Sequence, residues 1–313
     1  MKLQDLSLAE LARQLRRPGL NIQTGPFVVH LQTHIARVVE GLSQLYRDFP
    51  IAQSDDVADF HVSISPPHNH RRWILRQVIC AFDGETPFQP LPQEQAYPLF
   101  ETSLNWYIYA EVFNYLILHA ASVERNGYVV ILPAPPGSGK STLTAALVNR
   151  GWRLLTDELT LVSLETLGIV PLARPISLKN KAIEVIKCFA PDSIIAGECH
   201  GTAKGTVAYM RPPSESVARM HERAVARWLI LPRYEPDAAL SINVMGKAEA
   251  FMKLAEGLVN YAVLGRAGFE VLTSLIDRTD CYEFKYGDLD AAIAWFDQLN
   301  PPLTRAAEHA VRQ

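Results

Sequence analysis

Apolar residues recur along the chain at two periods, and the changes between them mark out its elements. Ser7-Leu8-Ala9-Glu10 is a capping box that opens a short helix to about Arg17, where Pro18-Gly19 ends it. Phe27 to Leu31 reads as a strand, and Ala36 to Tyr46 has helical spacing. Phe60-His61-Val62-Ser63-Ile64-Ser65 alternates at period two, as a half-buried strand does. Trp73 to Phe82 predicts a further strand, closed by the turn signal Asp83-Gly84. A proline-rich segment from Pro87 to Pro98 then reads as a linker, so residues 1–95 are expected to form an α+β module and residues 96–303 a second domain.

In the second domain, the spacing from Leu99 to His119 predicts a helix. Val129 to Leu132 predicts a strand, Thr142 to Arg150 a helix stopped by Gly151, and Trp152 to Leu155 a strand running into Thr156-Asp157-Glu158. Short strand-like runs follow at Leu159 to Leu164, Thr206 to Met210, Ala226 to Leu231 and Ala239 to Val244. Helices are expected over Lys247 to Val263, Gly268 to Ile276 and Asp288 to Leu299, with a strand at Tyr282 to Tyr286. No internal repeat or low-complexity tract interrupts this order.

The most informative junction joins the strand at Val129 to the helix at Thr142 through Pro133-Ala134-Pro135-Pro136-Gly137-Ser138-Gly139-Lys140-Ser141. A small, glycine-containing turn between a strand and Lys-Ser at a helix start is the layout of a phosphate-binding P-loop. Backbone N–H groups of such a turn point inward at phosphate oxygens, and the helix adds the positive end of its dipole. Pro136, Gly137, Ser138, Gly139, Lys140, Ser141 and Thr142 are therefore the candidate nucleotide-binding residues, with Lys140 on the β- and γ-phosphates and Ser141 on Mg²⁺. Ala134 stands where the usual pattern has its first glycine.

Composition narrows the partners. The chain has 313 residues, 48 % of them apolar, enough for two domains with a sizeable core. A formal net charge of −3 offers no global basic field for nucleic acid or an anionic membrane. The longest apolar stretch, around Trp106 to Ala121, is broken by Glu111 and Asn114 and is too short and polar to span a bilayer. Met1-Lys2 leads into a polar segment rather than a secretory signal, and Cys80, Cys188, Cys199 and Cys281 form no CxxC pair. Both features point to reduced thiols in a cytoplasmic protein.

A P-loop needs a carboxylate for its metal, and the candidates are Asp157 and Glu158. Only 17 residues separate Lys140 from Asp157 (157 − 140), room for one short helix and one strand. Most GTPases and AAA-type ATPases place that acid after a longer excursion. No LSGGQ-like segment is present, and Asn180-Lys181-Ala182-Ile183 lacks the final Asp of a guanine-reading motif, so neither an ABC ATPase nor a GTPase is expected.

This pattern resembles the catalytic domain of HPr kinase/phosphorylase. His119-Ala120 precedes the P-loop strand, Gly139-Lys140-Ser141 follows it, and Arg150-Gly151-Trp152-Arg153-Leu154-Leu155-Thr156-Asp157-Glu158 comes next, in that family's order and spacing. The chain resembles more closely the HPr kinase-related kinase A subgroup, through Leu104-Asn105-Trp106, Leu118-His119-Ala120-Ala121, Lys204-Gly205-Thr206-Val207 and Tyr286-Gly287-Asp288-Leu289-Asp290. The resemblance implies an α/β fold: a P-loop kinase domain of the HPr kinase/phosphoenolpyruvate carboxykinase-like type with a mixed sheet, preceded by the small α+β module.

The resemblance also implies an ATP- and Mg²⁺-dependent kinase that phosphorylates a serine hydroxyl of a small carrier protein or peptide. Asp157 would be its general base, Ser141 and Glu158 would hold Mg²⁺, Lys140 would neutralise phosphate charge, and His119 would sit beside the carboxylates. It further implies a homo-oligomer of open size. It leaves phosphorylase activity open, along with two other readings: a nucleotide-binding regulatory protein without transfer, and a kinase of a small-molecule hydroxyl. A carboxykinase would need a Mn²⁺ site of Lys, His and Asp that the sequence does not assemble.

Three stretches have two readings each. The segment from Glu198 to Gly205 either closes over the phosphates or is an ordinary mobile connection. Arg174 and Lys179 either supply charge to the transferring phosphoryl group or lie on a solvated face, and Arg211 is a weaker instance of the same. Cys199-His200 has no second pair at zinc-ligand spacing.

Overall fold

The computed structural model of the protein describes residues 1–53 and 57–299. Helix α1 (Leu8–Arg16) begins where Ser7 Oγ accepts the Glu10 N–H at 3.2 Å. Strands β1 (Leu20–Thr24) and β2 (Phe27–Thr33) follow, then α2 (Ala36–Leu45), β3 (Phe60–Ser65), β4 (Gln77–Phe82), the short β5 (Leu91–Pro92) and α3 (Ala96–Glu111). The five strands pair in the order β1-β2-β3-β4-β5, with β2 and β3 parallel and the other neighbours antiparallel.

The strand expected from Trp73 begins only at Gln77. Trp73, Ile74 and Leu75 are exposed at 70 %, 66 % and 84 %, and Leu75 has φ +51°, which a strand does not tolerate. The helix expected to run to His119 stops at Glu111. Residues from Tyr115 instead form β6 (Tyr115–Arg125), because this run finds strand partners along both edges. A short apolar run reads equally well as helix or strand until its partners are known.

After β6 come β7 (Tyr128–Pro133), α4 (Lys140–Val148), β8 (Arg153–Thr156), β9 (Leu159–Ser163) and β10 (Gly168–Val170). Next are β11 (Ile176–Lys179), α5 (Lys181–Phe189), β12 (Ile195–Thr202), β13 (Gly205–Met210) and α6 (Ser214–Ala218), whose strands make a small antiparallel sheet in the order β11-β13-β12. The chain ends with β14 (Ala224–Tyr234), β15 (Ser241–Val244), α7 (Lys247–Ala255), α8 (Tyr261–Arg278), β16 (Asp280–Tyr286) and α9 (Leu289–Phe296). The break predicted between Val263 and Gly268 is a kink at Gly265 (φ +54°) within α8, and a further break opens earlier, between Ala255 and Tyr261. Asn260 causes this by accepting the Ile117 N–H at 3.1 Å and donating to the Tyr115 carbonyl at 2.8 Å, which ties the α7–α8 turn to β6.

Two units result. The first contains Met1–Ile108, Arg174–Lys187 and Asp192–Ala218; the second contains Tyr109–Ala173, Cys188–Pro191 and the chain from Arg219 onward. The expected boundary at 95/96 falls within the first unit, and residues 300–303 of the expected second domain lie outside the described residues. The protein is thus α/β with mixed sheets. In the second unit, β14 runs parallel to both β7 and β16, while β6, β9 and β15 run antiparallel to their neighbours. Its core lies where Leu116, Leu118, Ile131 and Leu229 of the sheet meet Leu254 of α7 and Leu272 and Ile276 of α8. Burial of such side chains stabilises by roughly 1.5–3 kcal/mol each. No helix among the described residues is long and apolar enough to cross a membrane.

Candidate functional site

The site lies within the second unit, at the carboxyl ends of its three parallel strands. In open α/β sheets this is where loops leave room for ligands. β7 ends at Pro133, and residues 134–139 turn into α4 with Gly137 at φ +87° and Gly139 at φ +88°. Both glycines occupy the left-handed region, where a side chain is strained. Ala134 lies outside that region, so the position does not need the glycine of the usual pattern.

Neighbouring strands hold the turn from behind. The Tyr234 N–H, at the end of β14, donates to the Ser138 carbonyl at 2.9 Å. The Tyr286 hydroxyl, at the end of β16, donates to the Gly139 carbonyl at 3.3 Å. Burial, and then the nearby Tyr234, push the Tyr286 phenol above the usual tyrosine range, so it stays protonated as a donor. A Cβ on Gly139 would lie 2.7 Å from Tyr286 Oη and 2.8 Å from Tyr234 Cβ, whereas one on Gly137 would meet none of the described residues within 4 Å. Thus Gly139 is where the loop is wedged and Gly137 is where it is open. Ser138 Oγ is buried in the loop without a hydrogen-bond partner among the described residues.

α4 starts directly at Lys140, which is buried, followed by the half-buried Ser141 and Thr142. Ser141 Oγ donates to Asp157 Oδ2 at 3.0 Å. Asp157 is only 5 % exposed and sits between β8 and β9. There Thr156 Oγ1 accepts the N–H groups of Glu158 at 3.3 Å and Leu159 at 3.2 Å and so fixes the turn. Both strands lie along the same edge of β6, with Ser122 opposite Thr156 and His119 opposite Leu159. That register sets the Asp157-Glu158 pair beside the stretch of β6 that begins at His119. His119 is half-buried, and its own N–H donates to the Gly257 carbonyl at 2.9 Å.

The expected residues therefore fall on two neighbouring edges: residues 136–142 on the loop and helix start, and His119, Asp157 and Glu158 on paired strands. The hydroxyl of Ser141 is bonded to Asp157, the carboxylate expected to act as base, rather than to Glu158. A cavity of about 970 Å³ opens beside the loop, lined among others by His119, Pro135, Ser138, Tyr234, Asn243 and Lys253. Tyr234, Tyr286 and Gly257 were not among the expected site residues. Only Tyr286 had a sequence signal, as the first residue of Tyr286-Gly287-Asp288-Leu289-Asp290.

The ambiguous stretches belong to the first unit. Arg174 lies on no solvated face: it is buried, 3.7 Å from Glu101 and hydrogen-bonded to Asn105. An ion taken from water needs such partners, and burial with them makes Arg174 a core residue. The segment from Glu198 to Gly205 is the ordered hairpin of β12 and β13. Asn180 clamps its tip, donating to the Lys204 carbonyl at 3.2 Å and accepting the Thr206 N–H at 3.1 Å. The Cys199 thiol is buried and donates to the Glu94 carbonyl at 3.4 Å. Among the described residues no group of three or more His, Cys, Asp or Glu stands ready for a metal ion. No family model matches the chain, and no curated protein matches it.

Proposed function

We propose that the protein is an ATP-dependent kinase of the HPr kinase-like P-loop type, transferring the γ-phosphoryl group to a serine hydroxyl of a small protein or peptide. The observation that carries the reading is the bond between Ser141 Oγ and Asp157 Oδ2 at the start of α4. Adjacent ligands of an octahedral Mg²⁺, each at about 2.1 Å, lie about 3.0 Å apart. The two oxygens stand at that separation, 3.0 Å. Mg²⁺ in phosphoryl-transfer sites uses one or two protein ligands and completes its shell with water and phosphate. A site without a three-carboxylate cluster therefore fits it.

Ser141 and Asp157 would hold the metal, which when bound neutralises charge on the β- and γ-phosphates. This exchanges the roles that the resemblance implies for the two carboxylates and leaves Glu158 to accept the proton. The backbone N–H groups of Gly137 and of residues 139–141, with the α4 dipole, bind the phosphates, while Lys140 adds a cation at the same end. The acceptor oxygen bonds to the γ-phosphorus as the bond to the β–γ bridging oxygen breaks, and ADP leaves. The acceptor's proton passes to Glu158, with His119 across the strand pair to orient the hydroxyl. In such loose transition states, positioning contributes more than basicity.

Two measurements test this. Radiolabel transfer from ATP to a panel of small carrier proteins, peptides and hydroxyl metabolites should occur and vanish in Lys140→Ala. Transfer only to metabolites would assign a small-molecule acceptor, and ATP binding with no transfer would make the protein a nucleotide-dependent regulator. Asp157→Asn should weaken Mg²⁺-dependent ATP binding about tenfold, the scale of one charge-assisted contact. Glu158→Gln should keep that binding and lose transfer. Unchanged Mg²⁺ dependence in Asp157→Asn would overturn the role given to that residue.

A further inference from the structure

We propose that Tyr234 is the platform on which the nucleobase of the bound nucleotide stacks, at the mouth of the cavity beside the 134–139 loop. The inference rests on the phosphate-binding reading of that loop. Tyr234 is the last residue of β14, and its N–H is bonded to the Ser138 carbonyl at 2.9 Å. Its Cβ lies 2.8 Å from where a Cβ on Gly139 would stand. The ring thus hangs from a backbone that is bonded to the loop at Ser138 and packed closely against it at Gly139. Any ligand whose phosphates sit on the loop carries its remaining groups past this side chain or away from it.

Exposure separates the two tyrosines that meet here. The rings of Tyr234 and Tyr286 have centroids 5.6 Å apart. Tyr286 is 1 % exposed and its hydroxyl serves the loop, whereas Tyr234 is 45 % exposed and lines the cavity. One ring is needed to hold the turn, and the other keeps an open aromatic surface toward a space large enough for a nucleoside. Every nucleobase has a π-face, so stacking on an aromatic side chain suits any of them.

The charges around the cavity favour an uncharged group over a further anion. Its three cationic side chains each face an acid: Arg233 lies 2.8 Å from Glu235, Lys285 lies 3.6 Å from the same carboxylate, and Lys253 lies 3.0 Å from Glu249 and also pairs with Glu283. Paired in this way, they leave little field for more phosphate. Ser241 and Asn243, on the wall formed by β15, supply neutral donors and acceptors of the kind a base edge or a ribose hydroxyl uses.

The test is equilibrium binding of MgATP and of magnesium tripolyphosphate, which has the phosphates and no base, to the wild type, Tyr234→Ala and Tyr234→Phe. Loss of one stacking contact should weaken MgATP about tenfold in Tyr234→Ala. It should leave tripolyphosphate unchanged within about a factor of two, while Tyr234→Phe keeps the MgATP affinity. Equal weakening of both ligands would assign Tyr234 to loop support alone, and unchanged MgATP affinity would put the base elsewhere; either overturns the proposal. A wild type that binds MgATP no better than tripolyphosphate overturns it while leaving the phosphate reading intact. A wild type that binds neither removes the phosphate reading, and this inference with it.

Discussion

Replacing Gly139 and Gly137 by alanine, one at a time, separates backbone strain from steric conflict at the loop. Both residues have nearly the same backbone conformation, φ +88° and +87°. Each alanine therefore costs about 1–2 kcal/mol for a left-handed L-residue. Beyond that the two sites differ. A Cβ at Gly137 enters open space, while one at Gly139 would lie 2.7 Å from Tyr286 Oη and 2.8 Å from Tyr234 Cβ. Neither obstacle can swing aside, since Tyr286 is buried and a Cβ moves only with its backbone. Forced overpacking of this kind adds about 1–3 kcal/mol. Gly137→Ala should then lower stability by about 1–2 kcal/mol and Gly139→Ala by about 2–5 kcal/mol, read by equilibrium urea unfolding. Tyr286→Phe should rescue part of the Gly139→Ala loss, because the hydroxyl contact disappears while the Tyr234 contact remains. Equal losses at the two glycines, or no rescue, would refute the claim that the tyrosines wedge the turn.

Two further outcomes follow from charges in the two units. In the second, Glu124 is buried against Arg153, with the Arg219 guanidinium 3.7 Å away; Arg153→Met should cost about 3 kcal/mol in urea unfolding, the low end for a broken buried pair because Arg219 remains, and the added Glu124→Gln should recover part of it. In the first unit, burial and then the neighbouring His61 lower the His30 pKa from its ordinary value of 6.5, and Nδ1 lies 2.7 Å from Asn21 Oδ1. The unfolded chain then binds the proton first, so stability should fall as the pH drops below about 6.5 and level off below the folded pKa; His30→Gln should flatten that decline, and an unchanged pH profile would refute it.

Much of the candidate site was legible because its signals are local. Gly137 and Gly139 stand where the turn needs positive φ, and Lys140-Ser141 opens a helix after a strand of apolar residues. The 17-residue spacing to Asp157 allowed only one short helix and one strand, and α4 and β8 fill it. Other expectations failed where one residue pattern suits two environments. The run from Tyr115 to His119 has helical spacing, yet pairing with β9, continued by pairing with β7 from Ala120 onward, makes it the start of β6. Arg174 reads as a solvent-facing cation until Glu101 and Asn105 are seen around it. Trp73 to Leu75 has strand composition but takes no place in the sheet.

The sequence by itself determined the strand–turn–helix around Lys140, the Ser7 cap of α1 and the supply of carboxylates, because φ preferences and neighbouring hydrogen bonds act over a few residues. Only the tertiary structure decided that Asp157 meets Ser141, that His119 lies across from Leu159, and that Tyr234 and Tyr286 reach back to hold the loop. The contact from Tyr286 to Gly139 joins residues 147 apart in sequence. Such a pairing depends on β14 and β16 lying parallel to β7, and that order is set by burial of the whole sheet rather than by any residue's own preference.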